Sequence, residues 1–379
     1  MTLQTSGGTD NSGAAMWEKA KNYAKEIGYV PGSFSIAART LMADEFKFGG
    51  NIRPVTKFQV ARLFRTPSFK SMLYYSVKSI FPDRLEGKER VSVGDMMDAY
   101  SPFDLAVLIL SFVLYRKARR MMADEWPRFQ EGLDDDSQIG CQIGTFIPAI
   151  GTGTALLACS MRHYALAAMS KENLKQYKVY RRKLKETGEH YNFQLEHELW
   201  GCSSMHVGVI ILTNFGFGAE VAQAYSSGVD PNSSFHHIKD PLSRRMKIAN
   251  LWIEGINKGL DQPISNIPGE FYPDKAIRDA LYARIEKIHE GEKNWLDYTK
   301  DDISPEKTPQ LFAKVQQEGE YEVPEELEDV FSLEDITSME EEDFDQLIDQ
   351  IDAEAEGTAP KGSTILSSSD IDELEDIVE

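Results

Sequence analysis

From residue 318 onward the chain carries 24 acidic residues and a single base, Lys361, so any core must be built from the residues that precede. Apolar residues in this segment are sparse and set among acids. Such a composition buries too little apolar surface to offset the entropy of ordering, and residues 315–379 are predicted to form a disordered acidic tail. The formal charge of −20 is therefore unevenly spread. The rest of the chain has 37 acids and 40 bases and is close to neutral. A tail this acidic repels nucleic acid and argues against it as a partner.

Ahead of the tail the patterning is helical. Residues 1–15 are polar and read as a disordered leader, with no apolar stretch of the kind a signal peptide needs. Residues 16–27 have helical spacing and stop at Gly28, and Ser33 or Ser35 is placed to cap a second helix through Met42. Residues 16–90 form an N-terminal helical region broken by Gly and Pro. Ser101-Pro102 starts a strongly apolar helix over residues 103–122, whose uncharged run is about half of the ~20 residues that span a bilayer. Residues 140–161 are also uncharged but contain Pro148, four glycines and many Thr and Ala, so no membrane span is expected. Further helices are predicted over residues 172–185, 196–213, 219–225, 243–258 and 274–291. No alternating strand pattern occurs. The fold class is all-α, a multi-helix bundle.

Catalytic signatures are missing from the sequence. The cysteines Cys141, Cys159 and Cys202 are odd in number and lack CxxC spacing, which predicts buried thiols in a reducing cytoplasm. None of the seven histidines is followed by Asp, and His197-Glu198 lacks the second His of a zinc-protease motif. Cys202-Ser203-Ser204 lies near His206, but neighbours in sequence do not make a triad. Gly140, Gly144, Gly151 and Gly153 fit neither phosphate-loop pattern and suit close helix packing instead. No cofactor is expected.

The stretch around Glu198-Leu-Trp-Gly201, Gly208, Leu212, Phe215-Gly216-Phe217, Val221 and Ala224 resembles the HDOD family, the output-domain relatives of the HD phosphohydrolases. Ile147-Pro148-Ala149-Ile150-Gly151 is similar to that family's Leu-His-Asp-Ile-Gly segment, and Trp126-Pro127-Arg128 to its Trp-x-His segment. The resemblance implies an HD/HDOD-like helical domain over residues 91–300. It places Arg128, Pro148, Ala149, Ser204, Ser227 and Gly228 where metal ligands would stand. None of these side chains except Ser204 and Ser227 offers an oxygen, and none offers a carboxylate or imidazole, so the resemblance implies a member without a catalytic metal.

Two surfaces remain. Residues 172–185 are basic, with Lys175, Lys178, Arg181, Arg182 and Lys185 interleaved by Tyr177 and Tyr180. They form a solvated face, an anion or nucleic-acid contact, or a cradle for the acidic tail. Within the tail, Phe331 and Leu333 form one apolar island. Phe344, Leu347, Ile348 and Ile351 fall at i, i+3, i+4, i+7, and Ile371 and Leu374 repeat the pattern. Single helical turns are unstable alone but can fold into a partner's groove. The expectation is a non-catalytic signalling scaffold that binds a protein partner through its tail. The rival is an HD-like hydrolase with a relocated site at His236, His237 and Asp240.

Overall fold

A computed structural model describes residues 10–28, 30, 32–64, 66–303 and 308–312. Among these residues the architecture is an all-α bundle. It begins with α1 (Asp10–Lys25), α2 (Gly32–Lys47), α3 (Pro54–Leu63), α4 (Pro67–Ile80), α5 (Val93–Met97), α6 (Pro102–Met122) and α7 (Trp126–Phe146). It continues with α8 (Thr152–Ser170), α9 (Leu174–Thr187), α10 (Phe193–Trp200), α11 (Ser204–Asn214), α12 (Gly218–Val229), α13 (Pro241–Asn257) and α14 (Lys275–His289).

The uncharged stretch 140–161 explains the layout. Its second half opens α8, in which every residue but His163 is buried. A helix that is apolar and small-sided all round has no face to give to water and becomes the central element. Around it pack α6, α7, α11 and α13, with α1 and α12 completing the shell. The glycines permit this closeness. A Cβ on Gly144 would overlap the carbonyl of Gly151, and one on Gly140 would lie 3.0 Å from the Cβ of Cys159. Pro148 sits in the turn between α7 and α8, and among the described residues no helix is long and apolar enough to cross a membrane. Buried side chains from Trp17 to Leu296 form one continuous core.

Ser101 caps α6 by accepting from the Asp104 amide at 3.1 Å, with Pro102 at the first helical position. Several boundaries differ from expectation. The first helix begins at Asp10, so part of the expected leader is helical. The second begins at Gly32, and Ser33 and Ser35 lie within its first turn. The single helix expected over 196–213 is two, because Gly201 adopts φ +78° and ends α10 while Ser203 caps α11. A short parallel pair joins β1 (Arg90–Ser92) to β2 (Gln310–Phe312), which the sequence did not announce.

Candidate functional site

The most strongly charged place in the interior lies where α7, α8 and the loop before α10 meet. Three consecutive aspartates on α7 diverge around the helix, and Asp136 is the one that turns inward to near-complete burial. Its Oδ2 receives both the Arg162 guanidinium and His163 Nε2 from α8. His190 Nε2 stands 3.3 Å from the same oxygen, touches Arg162, and lies 2.9 Å from the Asn257 side-chain amide. The guanidinium also stacks on Tyr191, with its carbon 5.0 Å from the ring centroid. The Tyr191 hydroxyl donates to Glu254 at 2.8 Å.

The electrostatics follow from burial and pairing. Burial works to raise the Asp136 pKa, but Arg162 and then His190 and His163 overcome it and hold the carboxyl well below its ordinary value. Burial opposes the Arg162 charge, and Asp136 more than restores it, so its pKa is raised. His163 is pushed down to about 4 by burial, against the pull of Asp136, and is neutral at pH 7. The centre is therefore an ionised Asp–Arg pair with neutral His163 beside it. Two residues earlier on α7, burial raises Asp134 to about 7, opposed by hydrogen bonds from Asn294 at 2.8 Å and Gln130 at 3.0 Å.

A second polar knot ties α9, α10 and α11 together. Glu196 is fully buried and accepts from the Tyr180 hydroxyl at 2.8 Å and the Ser204 amide at 2.6 Å. Burial raises its pKa, and the Ser204 amide opposes the rise. Nearby, Ser203 Oγ and His206 Nδ1 are 2.6 Å apart and close the first turn of α11. Burial pushes His206 down to about 4. Both residues are buried, and His206 packs edge-on to Trp17, so the pair reads as a helix cap.

Chemically, the main centre is a clasp. Asp136 Oδ2 is filled by guanidinium and imidazole, so a cation entering here has to displace Arg162. Among the described residues no group of three or more His, Cys, Asp or Glu is placed to hold a metal ion.

The positions that the resemblance put at the metal site do not come together. Arg128 and Pro148 stand at opposite ends of α7, roughly 30 Å apart at 1.5 Å per residue. Arg128 is exposed and pairs with Glu125, and Pro148 and Ala149 are exposed in the turn. Ser204 is buried on Glu196, while Ser227 is half-buried and Gly228 buried on the last turn of α12. A Cβ on Gly228 would come within 2.5 Å of Met246 Cβ, which leaves no room for a ligand there. Arg162 and His163, an adjacent polar pair set between Met161 and Tyr164, are what actually enters the interior. Sequence reasoning missed them. The available signal was that they are the first charge and the first imidazole after the uncharged run.

The other candidates divide as follows. Lys175, Lys178, Arg181, Arg182 and Lys185 are all exposed on α9, but Tyr177 and Tyr180 are buried and unavailable for stacking on bases. Lys178 bridges to Glu125 at 2.8 Å, and Arg181 donates to the Arg128 carbonyl at 2.7 Å. His236 and His237 are exposed in a loop, and Asp240 spends its carboxylate capping α13 through the Ser243 amide at 2.7 Å. The three cysteines are buried and unpaired. Phe331, Leu333, Phe344, Leu347, Ile348, Ile351, Ile371 and Leu374 lie outside the described residues. An open cleft between α1 and α10 is lined by Lys19, Asn22, Tyr23, His197 and Trp200. No family model, no curated protein and no solved structure matches the chain.

Proposed function

We propose that this chain is a non-catalytic regulatory scaffold of the cytoplasm, related to the HDOD modules, that acts by binding a protein partner through the acidic–apolar segments of residues 315–379. The observation that carries the reading is the Asp136–Arg162 clasp. The interior place where Asp136, His163 and His190 gather also holds a guanidinium, and a fixed cation there takes the role a bound metal would otherwise have. A helical body so closed supplies rigidity and a display surface, and the tail supplies recruitment. Its acids steer the encounter and its spaced apolar residues fold on the partner's groove.

The test compares proteins captured by the full-length chain with those captured by a full-length Phe344→Ala, Leu347→Ala, Ile348→Ala variant. A stoichiometric partner that is lost with the variant supports the proposal. Identical capture by both chains, together with turnover of a phosphate ester that disappears on Asp136→Asn, contradicts it.

A further inference from the structure

The corner between α2 and α3 exposes a group of apolar side chains. Phe46 and Phe48 are 44% and 52% exposed, and Val55, in the first turn of α3, is 43% exposed. The corner is held in shape from beneath. Asp44 is fully buried, accepts from the Arg53 amide at 2.8 Å and pairs with the Arg53 guanidinium, which lies 3.8 Å over the Phe48 ring. Gly49 and Gly50 take φ of +84° and +77° to make the turn. Phe46 meets Phe103 edge-on at 6.3 Å. The aromatic pair is thus displayed on a braced loop.

The corner is rich in bases, of which Arg53 is paired with Asp44 and Lys57 with Asp98. From Phe46 to Pro82 the sequence has seven bases (Lys47, Arg53, Lys57, Arg62, Arg65, Lys70 and Lys78) and no acid. The second group of exposed apolar residues, Leu260, Tyr272 and Ile277, has Asp261, Glu270, Asp274 and Asp279 in its neighbourhood. The basic helix α9 has the charge but not the apolar surface, because Leu174, Val179 and Leu184 are half-buried.

The chain that follows the described residues starts beside this corner. Phe312 is registered with Ser92, which caps α5, and α5 packs on α3, with Lys57 bridging to Asp98. Thirty-one residues lie between Phe312 and Phe344. A chain of that length treated as a random coil spans roughly 30 Å root-mean-square, which gives an effective concentration on the order of millimolar. Residues 340–352 contain seven acids and no base, and carry Phe344, Leu347, Ile348 and Ile351 on one helical face.

From these observations we propose that residues 344–351 dock in cis as a helical turn on the Phe46–Phe48–Val55 corner. The apolar face covers the two aromatic rings, and the flanking acids meet Lys47 and share Arg53 and Lys57 with Asp44 and Asp98. The inference rests on the tail being the recruitment element and adds its regulation: a partner must displace the body to reach it.

Hydrogen exchange of the full chain tests this, with mass spectrometry read on peptides covering 344–351 at two protein concentrations. Exchange at least tenfold slower than the free-peptide rate, independent of concentration, is expected. Phe46→Ser with Phe48→Ser in one chain, or Leu347→Asp with Ile348→Asp in another, should each restore the free rate, as should 0.5 M NaCl in part. The aromatic positions are exposed, so the first variant keeps the core, which circular dichroism verifies. Free-peptide exchange in the wild type overturns the proposal. So does protection that survives the Phe46/Phe48 change, that is lost instead on Lys175→Glu with Lys183→Glu, or that grows with concentration alongside a dimer mass in sedimentation. Partner capture that persists in any of these cases leaves the scaffold reading standing.

Discussion

Asp136 stays ionised inside the bundle because Arg162 stands against it, and each would be costly to bury alone. Replacing Arg162 by Met leaves an uncompensated buried carboxylate. Urea unfolding should show a loss of about 3–5 kcal/mol. The double change Asp136→Leu with Arg162→Met should cost less than Arg162→Met alone, since no charge is then stranded. His206 gives a pH signature. Folded, it stays neutral down to about 4, held there by burial with His197 nearby, while the unfolded chain takes the proton near 6.5. The unfolded state therefore binds the extra proton between these values, and stability is lost as pH falls from 6.5 to 4, by up to about 3 kcal/mol. Asp134, raised to about 7, contributes with the opposite sign over the same interval, so the quantity to read is a difference. His206→Gln keeps a side-chain acceptor for the Ser203 amide and removes the titration. Relative to wild type it should gain up to about 3 kcal/mol at pH 4 compared with pH 7. An unchanged difference across that range would show that His206 titrates normally in the folded protein.

At the scale of elements, close approach around α8 decides what is tolerated. Gly144→Ala drives a methyl group into the Gly151 carbonyl and should cost about 1–3 kcal/mol in urea unfolding. Gly132→Ala, on the same helix, meets only His163 Cε1 at 3.5 Å and should gain roughly 0.5–1 kcal/mol by favouring the helix. A reversed order of these two variants would contradict the packing described for α7 and α8. The sequence made much of this layer legible. The Ser101-Pro102 start of α6, the basic run of α9 and the amphipathic period of α14 all announce themselves through local chemistry. The break between α10 and α11 did not, because the apolar period continues through Gly201 and only its positive φ ends the helix. The β1–β2 pair was invisible, being three residues long on each side and joining segments more than two hundred residues apart. The clasp was missed for a similar reason. Asp136, Arg162 and His190 lie on three separate segments, and only the packing of α7 on α8 shows that they share one point.

For the whole molecule the governing fact is the division between a closed, near-neutral helical body and an acidic segment with spaced apolar residues. The body fills this polar interior with its own guanidinium, and a row of exposed cations lies along α9. The proposed reading requires that this interior be unavailable to a metal. Calorimetric titration of the full-length chain with Mn²⁺ at pH 7.5 tests this most directly, because acids of the tail bind such ions only weakly and without a fixed ratio, whereas a site in the body would bind one or two tightly. The account predicts weak heats that are the same for wild type and His190→Gln. Stoichiometric, micromolar binding that His190→Gln abolishes would contradict it.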